Sequence, residues 1–147
     1  MIFNSLDIQQ MAVLAAQVAR CLAPGVSICL WGDLGAGKTT FARMVLKTLD
    51  SSIEDVPSPT FTIVQQYVTA IGDVWHCDFY RLIHAEEIFE LGIEEAFYHD
   101  VCLIEWPEKI QPYLPENRLD IFFTVSSDLT RDISIVSTGI VDVSFIQ

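Results

Sequence analysis

Gly32 to Thr39 (GDLGAGKT) satisfies every fixed position of G-x-x-x-x-G-K-[ST], the spacing of a phosphate-cradling loop. Glycines let backbone N–H groups close on phosphate oxygens, and a helix opening at the lysine adds its positive end. Gly35, Ala36 and Gly37 would supply backbone donors, and Lys38 would reach the β- and γ-phosphates. The Thr39 hydroxyl suits Mg²⁺, a hard ion that prefers oxygen ligands, and Thr40 adds a hydroxyl near the α-phosphate. The alternative, a glycine-rich turn with an exposed lysine, does not need the strand before the loop or the helix after it.

Binding alone does not hydrolyse a nucleotide; an acid at the end of a neighbouring strand must hold Mg²⁺ or orient water. Glu105 ends the apolar run Val101–Ile104 and fits that place, although Asp is commoner there. Asp78 competes for the role from within His76-Cys77-Asp78-Phe79-Tyr80-Arg81, where an acid, an imidazole, a phenol and a guanidinium crowd into six residues. Asp78 would orient the attacking water or hold a metal-bound water. Arg81 either stabilises charge or pairs with Asp78, and His76 is either a supporting group or a packed, hydrogen-bonded one, with Tyr80 alongside. Ser58-Pro59-Thr60 has the form of a switch segment, a proline-limited backbone carrying hydroxyls that can sense a γ-phosphate through Mg²⁺. Trp106 reads more readily as packing than as a stack for a base.

These side chains need elements to hold them. Asp7 and Gln10 form a capping box ahead of Met11, Leu14, Ala15, Val18 and Leu22 at helical spacing, and Pro24-Gly25 stops that helix. Val26–Trp31 reads as a buried strand and Thr39–Leu49 as the helix after the glycine-rich loop. A polar stretch, Asp50–Asp55, precedes two prolines and a strand over Phe61–Tyr67; Ala70–Asp73 is a turn around Gly72, and Val74–Phe79 a further strand. Its alternation sends His76, Asp78 and Tyr80 to one side and Trp75, Cys77 and Phe79 to the other. Glu86–Phe97 is helical and interrupted at Gly92, its five glutamates a solvated face or, as a lesser reading, a dock for a basic partner. Pro107, Pro112 and Pro115 mark a loop, and Leu119–Val125, Arg131–Val136 and Val141–Ile146 are strand-like. The order predicts one α/β domain over 1–147, with a mixed central β-sheet flanked by helices and a strand-rich C-terminal part.

Eight Lys and Arg against twenty Asp and Glu give a net charge of −12, which repels nucleic-acid backbones and anionic membranes. The 51% apolar composition can build a core, since a chain near this length hides roughly 68–70% of its unfolded surface. Four cysteines without C-x-x-C spacing, and no Lys or Arg before Arg20, predict a reduced, cytoplasmic protein away from the membrane. A GTPase would show D-x-x-G, which is absent, and Asn117-Arg118-Leu119-Asp120 only imitates its base-reading segment because arginine replaces lysine. A small-molecule kinase would carry an arginine-bearing lid, whereas only Arg81, Arg118 and Arg131 supply arginine beyond the loop's helix.

Together the ordered segments GDLGAGKTT (Gly32–Thr40), Ser58-Pro59-Thr60, HCDFYR (His76–Arg81) and Glu105-Trp106-Pro107 with Glu108 and Lys109 resemble the TsaE family over nearly the whole chain. That resemblance implies a P-loop ATPase of bacterial tRNA threonylcarbamoyladenosine synthesis, with ATP and Mg²⁺ as cofactors. It implies Thr39 and Glu105 on the metal, Asp78 needed for hydrolysis, and Asp7, Lys109 and Arg131 near the nucleotide. It also implies weak activity alone, TsaB and TsaD as partners, and tRNA reached only through them. The rival expectation is a nucleotide-gated binding module, in which ATP binding rather than hydrolysis controls docking.

Overall fold

The computed structural model describes residues 1–54, 56–60 and 62–147. Its strands are β1 (Ile2–Leu6), β2 (Ser27–Trp31), β3 (Val64–Thr69), β4 (Gly72–Asp78), β5 (Val101–Glu105), β6 (Arg118–Ser127) and β7 (Thr130–Thr138). The α-helices are α1 (Ile8–Ala19), α2 (Lys38–Leu49) and α3 (Ile93–His99), joined by 3-10 segments at Ala85–Phe89 and Pro107–Tyr113. The strands form one mixed sheet in the order β1-β7-β6-β2-β5-β4-β3. β2 lies parallel to both β5 and β6, and β4 parallel to β5, while β3 and β7 pair antiparallel with β4 and β6.

β2 reads as a continuous apolar run because it is covered on both faces: Ile28, Cys29 and Leu30 are all buried. Against one face lie α1 and α2, which bring Leu14, Val18, Phe41, Val45 and Leu46 to Ile28, Leu103, Leu119 and Ile121. The other face carries Cys29, Cys77, Cys102 and Ile104 beneath Ile88, Ile93 and Ile110 of α3 and the 3-10 segments. Those three thiols are free, and burial pushes each upward, Cys102 to about 12, so the core holds them as neutral thiols. Parallel pairing puts the C-terminal ends of β2, β4 and β5 at one edge, with Asp78 opposite Glu105 and Glu105 opposite Leu30. The loop that follows β2 therefore opens beside both carboxylates. Among the described residues no helix is long and apolar enough to cross a membrane.

The Asp7 capping box forms: its carboxylate accepts from Gln10 N–H at 2.8 Å, and Gln10 Oε1 accepts from Asp7 N–H at 2.9 Å. Such a cap contributes about 1 kcal/mol. The Asn117–Asp120 look-alike is spent on structure, since Arg118 pairs with Asp120 at 3.0 Å and Trp31 Nε1 donates to the same carboxylate at 2.8 Å.

Several elements differ from the sequence expectation. The 141–146 segment is not a strand. Asp142 accepts from Ser144 N–H at 3.0 Å and Ile146 N–H donates to Val143, so a local turn outcompetes ladder pairing, with Phe145 under the Arg20 guanidinium at 4.5 Å. β1 arises without an alternating pattern, because the β7 edge templates it; Ser5 N–H donates to Asp132 at 2.7 Å where the register slips. β3 starts at Val64: Ile63 takes φ 67°, off the extended path, and its N–H donates to Pro59 O at 2.6 Å rather than to a neighbouring strand. Phe61, the expected first residue of that strand, lies outside the described residues, as does Asp55 at the end of the polar stretch. The acid-rich segment is interrupted at Gly92 as expected, its φ of 73° being one that only glycine adopts freely; the difference is that the part before it, Ala85–Phe89, is 3-10 rather than α-helix. The proline-rich stretch after Trp106 winds into 3-10 turns with Pro107 at the first position, where a missing N–H costs nothing.

Candidate functional site

The glycine-rich loop leaves β2 and enters α2 through Gly37 at φ 107°, a conformation a side chain would strain. Glycine offers no side-chain cap, so the first-turn N–H groups of α2 stay available to a ligand, as an anion-binding helix start requires. Lys38 is buried; its Nζ donates to Gly32 O at 2.5 Å and lies 3.4 Å from the centre of the Trp106 ring. Burial lowers its pKa below the ordinary lysine value, while Glu108, Glu105, Asp78 and Asp33 pull it back up. One ammonium thus stands among four carboxylates. Burial likewise raises the pKa of Glu108, against the pull of Lys38.

Glu105 joins three elements. Its Oε1 accepts from the Thr39 hydroxyl at 2.5 Å, and its Oε2 lies 2.7 Å from His76 Nε2. His76 is fully buried and its Nδ1 has no hydrogen-bond partner. His76 and Asp78 share one strand face, as alternation requires, and both are buried rather than open to water.

Asp78 accepts from Thr60 Oγ1–H at 2.8 Å and from Tyr80 N–H at 2.9 Å, and Ser58 Oγ lies 2.8 Å from Thr60 Oγ1. The Ser58-Pro59-Thr60 segment is therefore tied to the acid at the end of β4. Tyr80 reaches Trp106, ring centres 4.9 Å apart, so the aromatic pair closes the side of the site on which Lys38 rests. Trp106 stands at φ 58°, which turns the chain sharply after Glu105.

From the far flank, Arg131 Nε donates to Ala36 O at 2.9 Å and Nη2 to Gly35 O at 3.4 Å, while Nη1 donates to Ser127 O and Thr130 O. The guanidinium ties the loop to the β6–β7 hairpin. Beside it, Ile8, Met11, Gly37, Thr40, Asp128, Leu129 and Arg131 line a cavity of about 220 Å³. Asp7 sits at the α1 cap next to Ile8, engaged with Gln10, and Lys109 is exposed beyond Trp106; both stand outside the hydrogen-bonded cluster. Arg81 is exposed just past Tyr80. Asp33 and Glu108, both felt by Lys38, were not singled out as site residues. The only signals for them were an acid at a variable position of the loop motif and an acid three residues after Glu105.

Among the described residues no group of three or more His, Cys, Asp or Glu could hold a metal ion unaided. The Thr39 hydroxyl and Glu105 carboxylate instead form a two-residue oxygen set. That set fits Mg²⁺, which usually takes one or two protein oxygens and completes its shell with phosphate oxygens and water. The arrangement is suited to a metal–polyphosphate ligand.

A family model described as "Threonylcarbamoyl adenosine biosynthesis protein TsaE" matches residues 5–133. The chain is 40% identical over 117 residues to the tRNA threonylcarbamoyladenosine biosynthesis protein TsaE of Rickettsia bellii, covering 80% of this chain and 81% of that one. To the Bacillus subtilis protein of the same description it is 35% identical over 138 residues, covering 93% and 85%. The crystal structure of Bacillus subtilis YdiB aligns with a TM-score of 0.77 at 31% identity, over 95% of this chain and 86% of that one.

Proposed function

The chain belongs to the TsaE family, and from that premise we propose that it is the ATP-binding, ATP-hydrolysing subunit required for tRNA threonylcarbamoyladenosine modification, acting with a TsaB–TsaD transferase. The observation that carries this reading is the contact of the P-loop threonine with Glu105, itself held by His76, beside a lysine buried at the same strand ends. Bound Mg²⁺–ATP supplies the phosphoanhydride bond to be broken and a cation that spreads the charge developing on it.

The chain's own residues do the rest. Backbone N–H groups of Gly35, Ala36 and Gly37 and the start of α2 hold the phosphates, Lys38 turns from Gly32 O and the Trp106 face toward their charge, and Thr40 adds a hydroxyl. Thr39 and Glu105 hold the metal. Asp78 orients the attacking water, and the Ser58–Thr60 segment bonded to it acts as the switch. Arg131 keeps the loop carbonyls in place, with Asp7 and Lys109 at the nucleotide's periphery. His76, Tyr80, Arg81 and Trp106 support these groups. At −12 the chain handles ATP in the cytoplasm as one P-loop domain, and tRNA is met by its partners.

One observation favours the second reading, a nucleotide-gated binding module: both Asp78 oxygens are already engaged, by Thr60 and by Tyr80 N–H, which suits a pin for the switch segment as well as a water-orienting acid. Measuring ATP turnover alone and with TsaB–TsaD decides between them. The ATPase reading expects slow turnover alone, clear stimulation by the pair, and a loss of at least ~100-fold in Asp78→Asn. Indifference to the pair together with full turnover in Asp78→Asn would contradict it.

A further inference from the structure

At the end of the sheet away from the P-loop lies a cavity of about 650 Å³, lined by Phe89, Phe97 and Leu114, with Tyr98 at its rim, and edged by Glu94 and Glu116. Gly25 and Val26, just before β2, and Asn117, just before β6, also line it. The P-loop leaves the opposite end of β2, five residues or about 17 Å farther on. We propose that this groove docks a short segment of a partner protein that presents a Lys or Arg between apolar side chains.

Charge dictates the cation. The lining contains no Lys, Arg or His, and neither Glu94 nor Glu116 has a hydrogen-bond or ion-pair partner among the described residues. A third acid, Glu86, stands at the same wall, accepting from the Tyr113 hydroxyl at 3.2 Å. Aromatic faces beside these carboxylates favour a cation with an apolar stem, and the same acids reject a phosphate chain. Reach dictates a polypeptide rather than a small amine. Tyr98 is 73% exposed and Ile140 89% exposed at the rim, so apolar surface continues past the cavity, where a compact ligand would leave it wet and a chain segment would cover it. A site this far from Lys38 would anchor the partner whether or not nucleotide is bound, leaving the P-loop edge free for the nucleotide-dependent contact.

The groove stands on these observations alone; that TsaB–TsaD supplies the segment rests on the proposed function. The test is an NMR titration of the full isotopically labelled chain with an amidated peptide of alternating Leu and Lys, and with its Leu-Glu counterpart. Shifts confined to the groove around Phe89, Tyr98, Leu114 and Glu116, at least tenfold weaker binding in E94K/E116K and a silent Leu-Glu peptide are expected. Shifts scattered over the acidic surface, or equal affinity in E94K/E116K, would overturn the proposal. The TsaB–TsaD pair is then titrated with both chains: the double variant should bind it at least tenfold more weakly while keeping wild-type ATP affinity. Undiminished binding of the pair by E94K/E116K would overturn the groove as its dock. A pair that ignores the wild-type chain would remove TsaB–TsaD as partner, while the peptide titration still decides the groove.

Discussion

Lys38→Ala is expected to weaken ATP binding by at least ~100-fold in calorimetry, the loss of about two charge-assisted contacts. The effect is larger than for an isolated lysine because of what remains. Asp33, Asp78, Glu105 and Glu108 all act on Lys38, and without its ammonium a triphosphate would meet these four carboxylates with no cation among them. Lys38→Arg should not restore binding: the ammonium lies between Gly32 O and the Trp106 face, and a planar fork does not fit the space a compact point charge fills. Wild-type affinity in Lys38→Ala would show that phosphates are held elsewhere.

Glu105→Gln should lower ATP turnover at saturating Mg²⁺ by at least ~100-fold while leaving metal-free ATP binding near wild type. Glutamine keeps the volume and one acceptor, so the buried position survives. It removes the charge that Thr39 and His76 both address, at 2.5 Å and 2.7 Å. The variant should therefore lose the Mg²⁺ dependence of nucleotide affinity, a readout that a general loss of fold would not give selectively. His76→Ala should have a smaller effect, about tenfold in kcat with KM unchanged, because Glu105 keeps its charge and its bond to Thr39 but loses the group fixing its second oxygen. Retained Mg²⁺ dependence in Glu105→Gln would place the metal on other residues.

Much of this was legible from local pattern. The P-loop, β2, α2 and the acid ending β5 each follow from a few neighbouring residues, so their spacing alone located them. Alternation put His76 and Asp78 on one face of β4, but the burial of both depends on tertiary packing, which has no local signature. β1 was invisible because an edge strand takes its hydrogen bonds from β7, more than a hundred residues away. The 141–146 segment misled for the opposite reason: its apolar alternation is real, but the Asp142 turn and the packing of Phe145 decide its path. The resting place of Lys38 against Trp106 follows from the left-handed backbone at Trp106, which no periodicity encodes. The groove joins four separate chain segments, so beforehand only Glu94 was readable, as one of the five glutamates of the acid-rich segment.

The central claim is that hydrolysis at this site, and not nucleotide binding alone, sustains the modification. The most direct measurement is the number of threonylcarbamoyladenosine residues formed per chain when TsaB–TsaD, the chain and tRNA are supplied with ATP or with a non-hydrolysable analogue. The account predicts many rounds with ATP and no more than about one with the analogue. Many rounds with the analogue would contradict it and make the protein a nucleotide-gated binding module.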